Sequence, residues 1–96
     1  MSETDEARQE HLARVTSPLL AAWDEFQHGH ASLLDLARRA EQAETALDNA
    51  SAPLPQLLHA AASDLEYAYA ASESEDHPEE AARIMAPVLA AIAGVG

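Results

Sequence analysis

The chain has no cysteine and no lysine, and its 96 residues hold only five arginines, three glycines, one Trp, one Phe and two Tyr. Without cysteine there can be no disulfide, no thiolate metal site and no cysteine nucleophile. Without lysine, 17 Asp and Glu stand against five Arg, a formal charge of −12. That balance nearly excludes direct binding to a phosphate backbone and opposes docking on an anionic membrane. The scarcity of glycine leaves no phosphate-cradling loop and no G-x-S-x-G elbow. Long apolar runs are also missing. The longest, Ala86 to Val95, contains Pro87 and falls far short of the ~20 residues that a membrane span needs. Met1 to Glu6 carries acid where a secretory signal carries positive charge. A cytoplasmic location is the expectation.

What the chain does have is alanine, 23 residues of it, and 12 leucines. Both lead the helix scale, whereas the residues that favour strands are few. A chain of this length fits one domain over residues 1–96, with barely enough material for one core. Apolar residues recur at steps of three and four in four segments, the signature of one buried stripe per helix. The first helix is expected over 4–28, with Leu12, Val15, Leu19, Ala22, Trp23 and Phe26 on its stripe. Pro18 should kink it or start a new helix capped by Ser17, and Gly29 suits the left-handed residue after its end. The second, over 32–48, opens on Ser32 with Asp35 in the capping-box position. Its stripe is Leu33, Leu36, Ala37, Ala40, Ala43 and Leu47, and Asp35 with Arg39 forms an i,i+4 pair. Asn49 to Pro53 should turn the chain. The third, over 54–72, places Leu57, Leu58, Ala61, Ala62, Leu65, Ala68 and Tyr69 inward. The fourth, over 77–93 and kinked at Pro87, begins after Asp76 and buries Ala81, Ile84, Met85, Val88, Leu89 and Ile92. Four such stripes can bury one another most simply in an all-α, antiparallel four-helix bundle. Alanine at so many inward positions makes a thin core, carried by the leucines with Trp23, Phe26, Ile84 and Ile92.

Few residues offer chemistry. His28 and His30 flank Gly29, but no second histidine pair accompanies them, so they read as polar groups at the negative end of a helix rather than as metal ligands. His59 and His77 are isolated. Carboxylate pairs such as Asp24 and Glu25 are plentiful, yet a small helical domain offers little of the concavity that acid–base catalysis requires. No catalytic, cofactor or metal residue is therefore assigned, and the chain is not expected to be an enzyme. The segment from Asp64 to Glu80 stands apart: seven acids, no Arg or Lys, and both tyrosines. One-signed charge beside rigid aromatics suits docking on a basic protein, with charge steering the encounter. Tyr67 lies off the apolar stripe and has no packing role. The expected contact set is Asp64, Glu66, Tyr67, Glu73, Glu75 and Asp76.

The run Trp23-Asp24-Glu25-Phe26-Gln27-His28-Gly29-His30-Ala31-Ser32-Leu33, with the later Asp64-Leu65-Glu66-Tyr67-Ala68, resembles the small acidic helical immunity proteins of bacterial toxin systems, those of the colicin D type and of contact-dependent inhibition. The resemblance implies a protein that neutralises a cognate nuclease by covering its basic substrate cleft with carboxylates. It transfers no particular residue to this chain, so the contact set rests on charge alone. The competing expectation is a helical assembly module, a weak homodimer that completes its thin core by pairing, with the acid serving solubility.

Overall fold

Ser32 and Asp35 show how local chemistry sets an element boundary. The Ser32 N–H donates to Asp35 Oδ2 at 2.8 Å, and the Asp35 N–H donates to Ser32 Oγ at 3.2 Å. This reciprocal box satisfies two donors that a helix start leaves unpaired, and it opens α2, Leu33–Ala46. The computed structural model describes residues 3–47 and 54–95. Ahead of α2 runs α1, Glu3–Gln27. Beyond it come α3, Leu54–Ala71, a 3₁₀ turn at Ser74–Asp76, and α4, His77–Val95. The turn expected over Asn49 to Pro53 lies outside the described residues.

The end of α1 is equally local in origin. Gly29 adopts φ +80°, a conformation that only glycine takes without strain. Its N–H reaches the Phe26 carbonyl at 3.0 Å and the His30 N–H reaches the Glu25 carbonyl at 2.8 Å, the two bonds of a Schellman end. His28 adds a third: its Nδ1 donates to the Asp24 carbonyl at 2.8 Å. The histidine is thus held at the helix C-terminus, where the backbone dipole is negative.

Pro18 does not divide α1, and no second helix begins at Ser17. Proline removes the hydrogen bond to the carbonyl four residues back. Here that carbonyl belongs to Arg14, exposed like Pro18 itself, so water can take the place of the lost donor. Pro87 likewise lies inside α4, and both it and Arg83, four residues before, are exposed. The fourth helix starts at His77, as its expected bounds had it, and just ahead of it Ser74–Asp76 tightens into the 3₁₀ turn, closed by the Asp76 N–H on the Glu73 carbonyl at 2.9 Å.

The four helices pack as an all-α antiparallel bundle in which neighbours in sequence are neighbours in space, and α2 and α3 share the largest interface. All six expected inward positions of α2 are buried, as are Leu58, Ala61, Ala62, Leu65 and Ala68 of α3. The buried alanines of both helices contribute little apolar area each. The hydrophobic gain comes instead from fully buried leucines, at roughly 1.5–3 kcal/mol each: Leu19, Leu33, Leu36, Leu47, Leu58 and Leu65. Met85 and Val88 complete the core from α4. Thr16, absent from the expected stripe, is buried too. Its Oγ1 donates to the Leu12 carbonyl at 2.7 Å, which removes the penalty of an unpaired hydroxyl.

Closure is incomplete between the first and last helices, which meet over only a short stretch. Trp23, Phe26, Leu89 and Ile92, expected as core anchors or stripe residues, pack against the core but are only partly buried. Trp23 and Phe26 stack on each other with centroids 5.9 Å apart and planes at 11°. The longest helix, α1, spans about 37 Å against about 21 Å for α2, and the molecule extends 47 × 23 × 18 Å.

Candidate docking surface

Leu65 of α3 is fully buried, and its position dictates where its neighbours go. Successive helical residues turn by about 100°, so Asp64 and Glu66 flank Leu65 on opposite sides and Tyr67 lies on the far side. Tyr67 is 75% exposed. Asp64 and Glu66 are exposed on either side of it. Glu73, in the connection after α3, and Glu75 and Asp76, in the 3₁₀ turn, are exposed as well. Tyr67 lies within α3, whereas Glu73 follows its end at Ala71. The six expected contact residues therefore fall into two groups, the outer face of α3 and the turn at its C-terminal end.

The flanks of α3 have different electrostatic surroundings. On the α4 side, Asp64 lies within electrostatic reach of Arg83, whose guanidinium is bonded to Glu80. A segment without Arg or Lys in sequence thus gains a base in space. On the α2 side, Glu66 faces Glu41. Proton sharing between the two carboxyls, reinforced by the mutual repulsion of their charges, holds Glu66 above the usual carboxylate range. One turn further along α2, Glu44 meets His59 of α3 at 3.3 Å. Arg83 could have been found by its i,i+3 spacing from Glu80. Glu41 could not, because its encounter with Glu66 depends on the register of α2 against α3.

Tyr69 was expected on the buried stripe and is instead 47% exposed. Its ring lies 6.1 Å from that of His77, tilted by 33°, and His77 Nε2 donates to the Ser72 carbonyl at 3.1 Å. The stripe ends one turn early because the chain leaves α3 here. Tyr69 and His77 cover the exit of the helix instead of entering the core. The expected Asp35–Arg39 pair is also redirected: Asp35 is bonded to Ser32, and Arg39 donates to Gln42 Oε1 at 3.0 Å. The bonds from Ser32, first the backbone N–H and then the hydroxyl, hold the Asp35 carboxyl below the usual carboxylate range.

Among the described residues, no group of three or more His, Cys, Asp or Glu is arranged to hold a metal ion, and no helix is long and apolar enough to cross a membrane. The one depression described beside the acidic flank is shallow and open, lined by Glu41, Gln42, Thr45 and Ala46. Comparison of the chain with known protein families, curated proteins and solved structures finds no match.

Proposed function

We propose that this chain is a cytoplasmic immunity-type inhibitor, a binding protein with no catalytic role that covers the basic substrate cleft of a nuclease toxin domain. The observation that carries this reading is Tyr67, 75% exposed on a rigid helix between the exposed carboxylates of Asp64 and Glu66. An aromatic with no packing role is a ready anchor at an interface. The carboxylates on either side supply the charge complementary to a cleft that binds a polyanion. Glu73, Glu75 and Asp76 extend the acid beyond the end of α3. The Glu41–Glu66 contact adds to the support: two like charges held together on an exposed surface are relieved when a partner's guanidinium or ammonium group comes between them.

Co-expression with basic nuclease toxin domains, and purification against them at low and high salt, tests the proposal. The wild-type chain should restore growth and block RNA cleavage in vitro, and the double reversal Glu66→Lys/Asp76→Lys should slow association and flatten its salt dependence. Tyr67→Ala should mainly speed dissociation, by roughly tenfold or more if Tyr67 is an anchor. Undiminished protection by the reversed chain would reject the surface.

A specific observation also favours the alternative, a helical assembly module acting as a homodimer. Leu20 is 37% exposed on α1, and Trp23, Phe26, Leu89 and Ile92 are only partly buried. Sedimentation at micromolar concentration separates the two readings: a folded monomer there removes the homodimer.

A further inference from the structure

The chain passes from α3 to α4 through Ser72 to Asp76, and the acids of this region oppose one another. Glu73, Glu75, Asp76, Glu79 and Glu80 stand close together in a stretch that holds no Arg or Lys. Like charges gathered so closely favour an open connection. The connection is closed instead: the Asp76 N–H reaches the Glu73 carbonyl at 2.9 Å, and the His77 N–H reaches the Ser74 carbonyl. Two backbone bonds of a 3₁₀ turn are a weak restraint by themselves, since their geometry is poorer than that of an α-helix.

We propose that His77 and Tyr69 form a latch that holds this acidic connection closed by tying the first residue of α4 to the end of α3. His77 Nε2 donates to the Ser72 carbonyl at 3.1 Å. Ser72 directly follows α3, and its own N–H continues the helical bonding to the Ala68 carbonyl at 2.9 Å. The imidazole therefore grips the end of a helix rather than a loose segment, and its bond encloses the whole 3₁₀ turn. That bond is partly buried, and the Tyr69 ring lies 6.1 Å from the imidazole, within the range of about 4.5–7 Å over which aromatic rings attract. A ring held there limits the rotation of His77 and so the entropy that its bond must overcome. Tyr69, half exposed at the end of α3, thereby gains a role within the chain.

The latch belongs to the free chain and stands apart from toxin binding, so its test needs no partner. Amide hydrogen exchange of the full chain, followed by NMR, is compared for wild type, His77→Ala, His77→Gln, Tyr69→Ala and Tyr69→Phe. Protection at positions 76 and 77 reports on the connection, and protection at the buried Leu58 and Leu65 reports on the fold as a whole. His77→Ala should lower protection at 76 and 77 by roughly fivefold or more, the weight of one hydrogen bond, and leave Leu58 and Leu65 unchanged. His77→Gln retains a side-chain donor and should recover part of the loss. Tyr69→Ala should weaken the same two amides, whereas Tyr69→Phe, which keeps the ring, should not. A glutamyl endopeptidase should cut His77→Ala after Glu73 or Glu75 faster than wild type, because cleavage follows the population of the opened segment. Unchanged protection at 76 and 77 in His77→Ala would overturn the latch. An equal loss at Leu58 and Leu65 would overturn it too, by assigning the change to the whole fold, and a His77→Gln chain that behaves like His77→Ala would reject the hydrogen bond as its cause.

Discussion

At the residue scale the structure turns on a few side chains whose roles are set by one or two bonds. Ser32 and Asp35 are exposed or nearly so, yet they close the start of α2. Ser32→Ala should destabilise the fold by about 1 kcal/mol, the usual effect of losing such a cap, measurable by urea unfolding. Because Asp35 is held below the usual carboxylate range by Ser32, its contribution is present above the unfolded value and disappears as pH falls through the lowered one. Gly29 offers a second test. A Cβ added there meets nothing within 4 Å, so Gly29→Ala should be destabilising by about 1 kcal/mol through backbone conformation alone. Thr16→Val should be tolerated within about 1 kcal/mol. The hydroxyl it removes is bonded only to the Leu12 carbonyl, and losing a hydroxyl together with its bond leaves no buried donor unpaired.

At the scale of elements, the α2–α3 seam shows what alanine does in this chain. Ala37, Ala40 and Ala43 of α2 and Ala61, Ala62 and Ala68 of α3 are all buried, in the two helices that share the largest interface. Small side chains contribute little area each but permit a short distance between axes, and the leucines between them then fill the remaining space. Two substitutions should therefore fail in opposite ways. Ala40→Leu overfills the core and should cost about 1–3 kcal/mol, whereas Leu65→Ala leaves a cavity in it and should cost about 2–5 kcal/mol. Chemical unfolding compares them directly. The same seam explains why the inward face of α2 could be read from sequence in full while that of α3 failed at Tyr69. Periodicity names a stripe, but it does not say where the partner surface stops. At Tyr69 the chain is about to leave the helix, and the ring pairs with His77 instead of entering the core.

For the whole molecule, the charge of −12 is carried by a scaffold whose core is apolar and whose outer α3 face and following turn are acidic. A partner-binding role through that face predicts strong dependence on salt, since exposed charges are screened within about 10 Å at 0.1 M. Composition and period were enough to determine the class of fold and the helices to within one or two residues, because alanine, leucine, Ser32 and Gly29 act through local propensity and local hydrogen bonds. They also identified Tyr67 as a residue facing away from the core, since that follows from helical phase alone. Only the tertiary structure decided that α1 continues through Pro18, that Trp23 and Phe26 pack against the core while remaining only partly buried, that Arg83 enters the acidic region, and that Glu41 confronts Glu66. Each of these depends on which surfaces lie side by side and in what register, and that is set by packing between segments distant in the chain rather than by any one segment's own pattern.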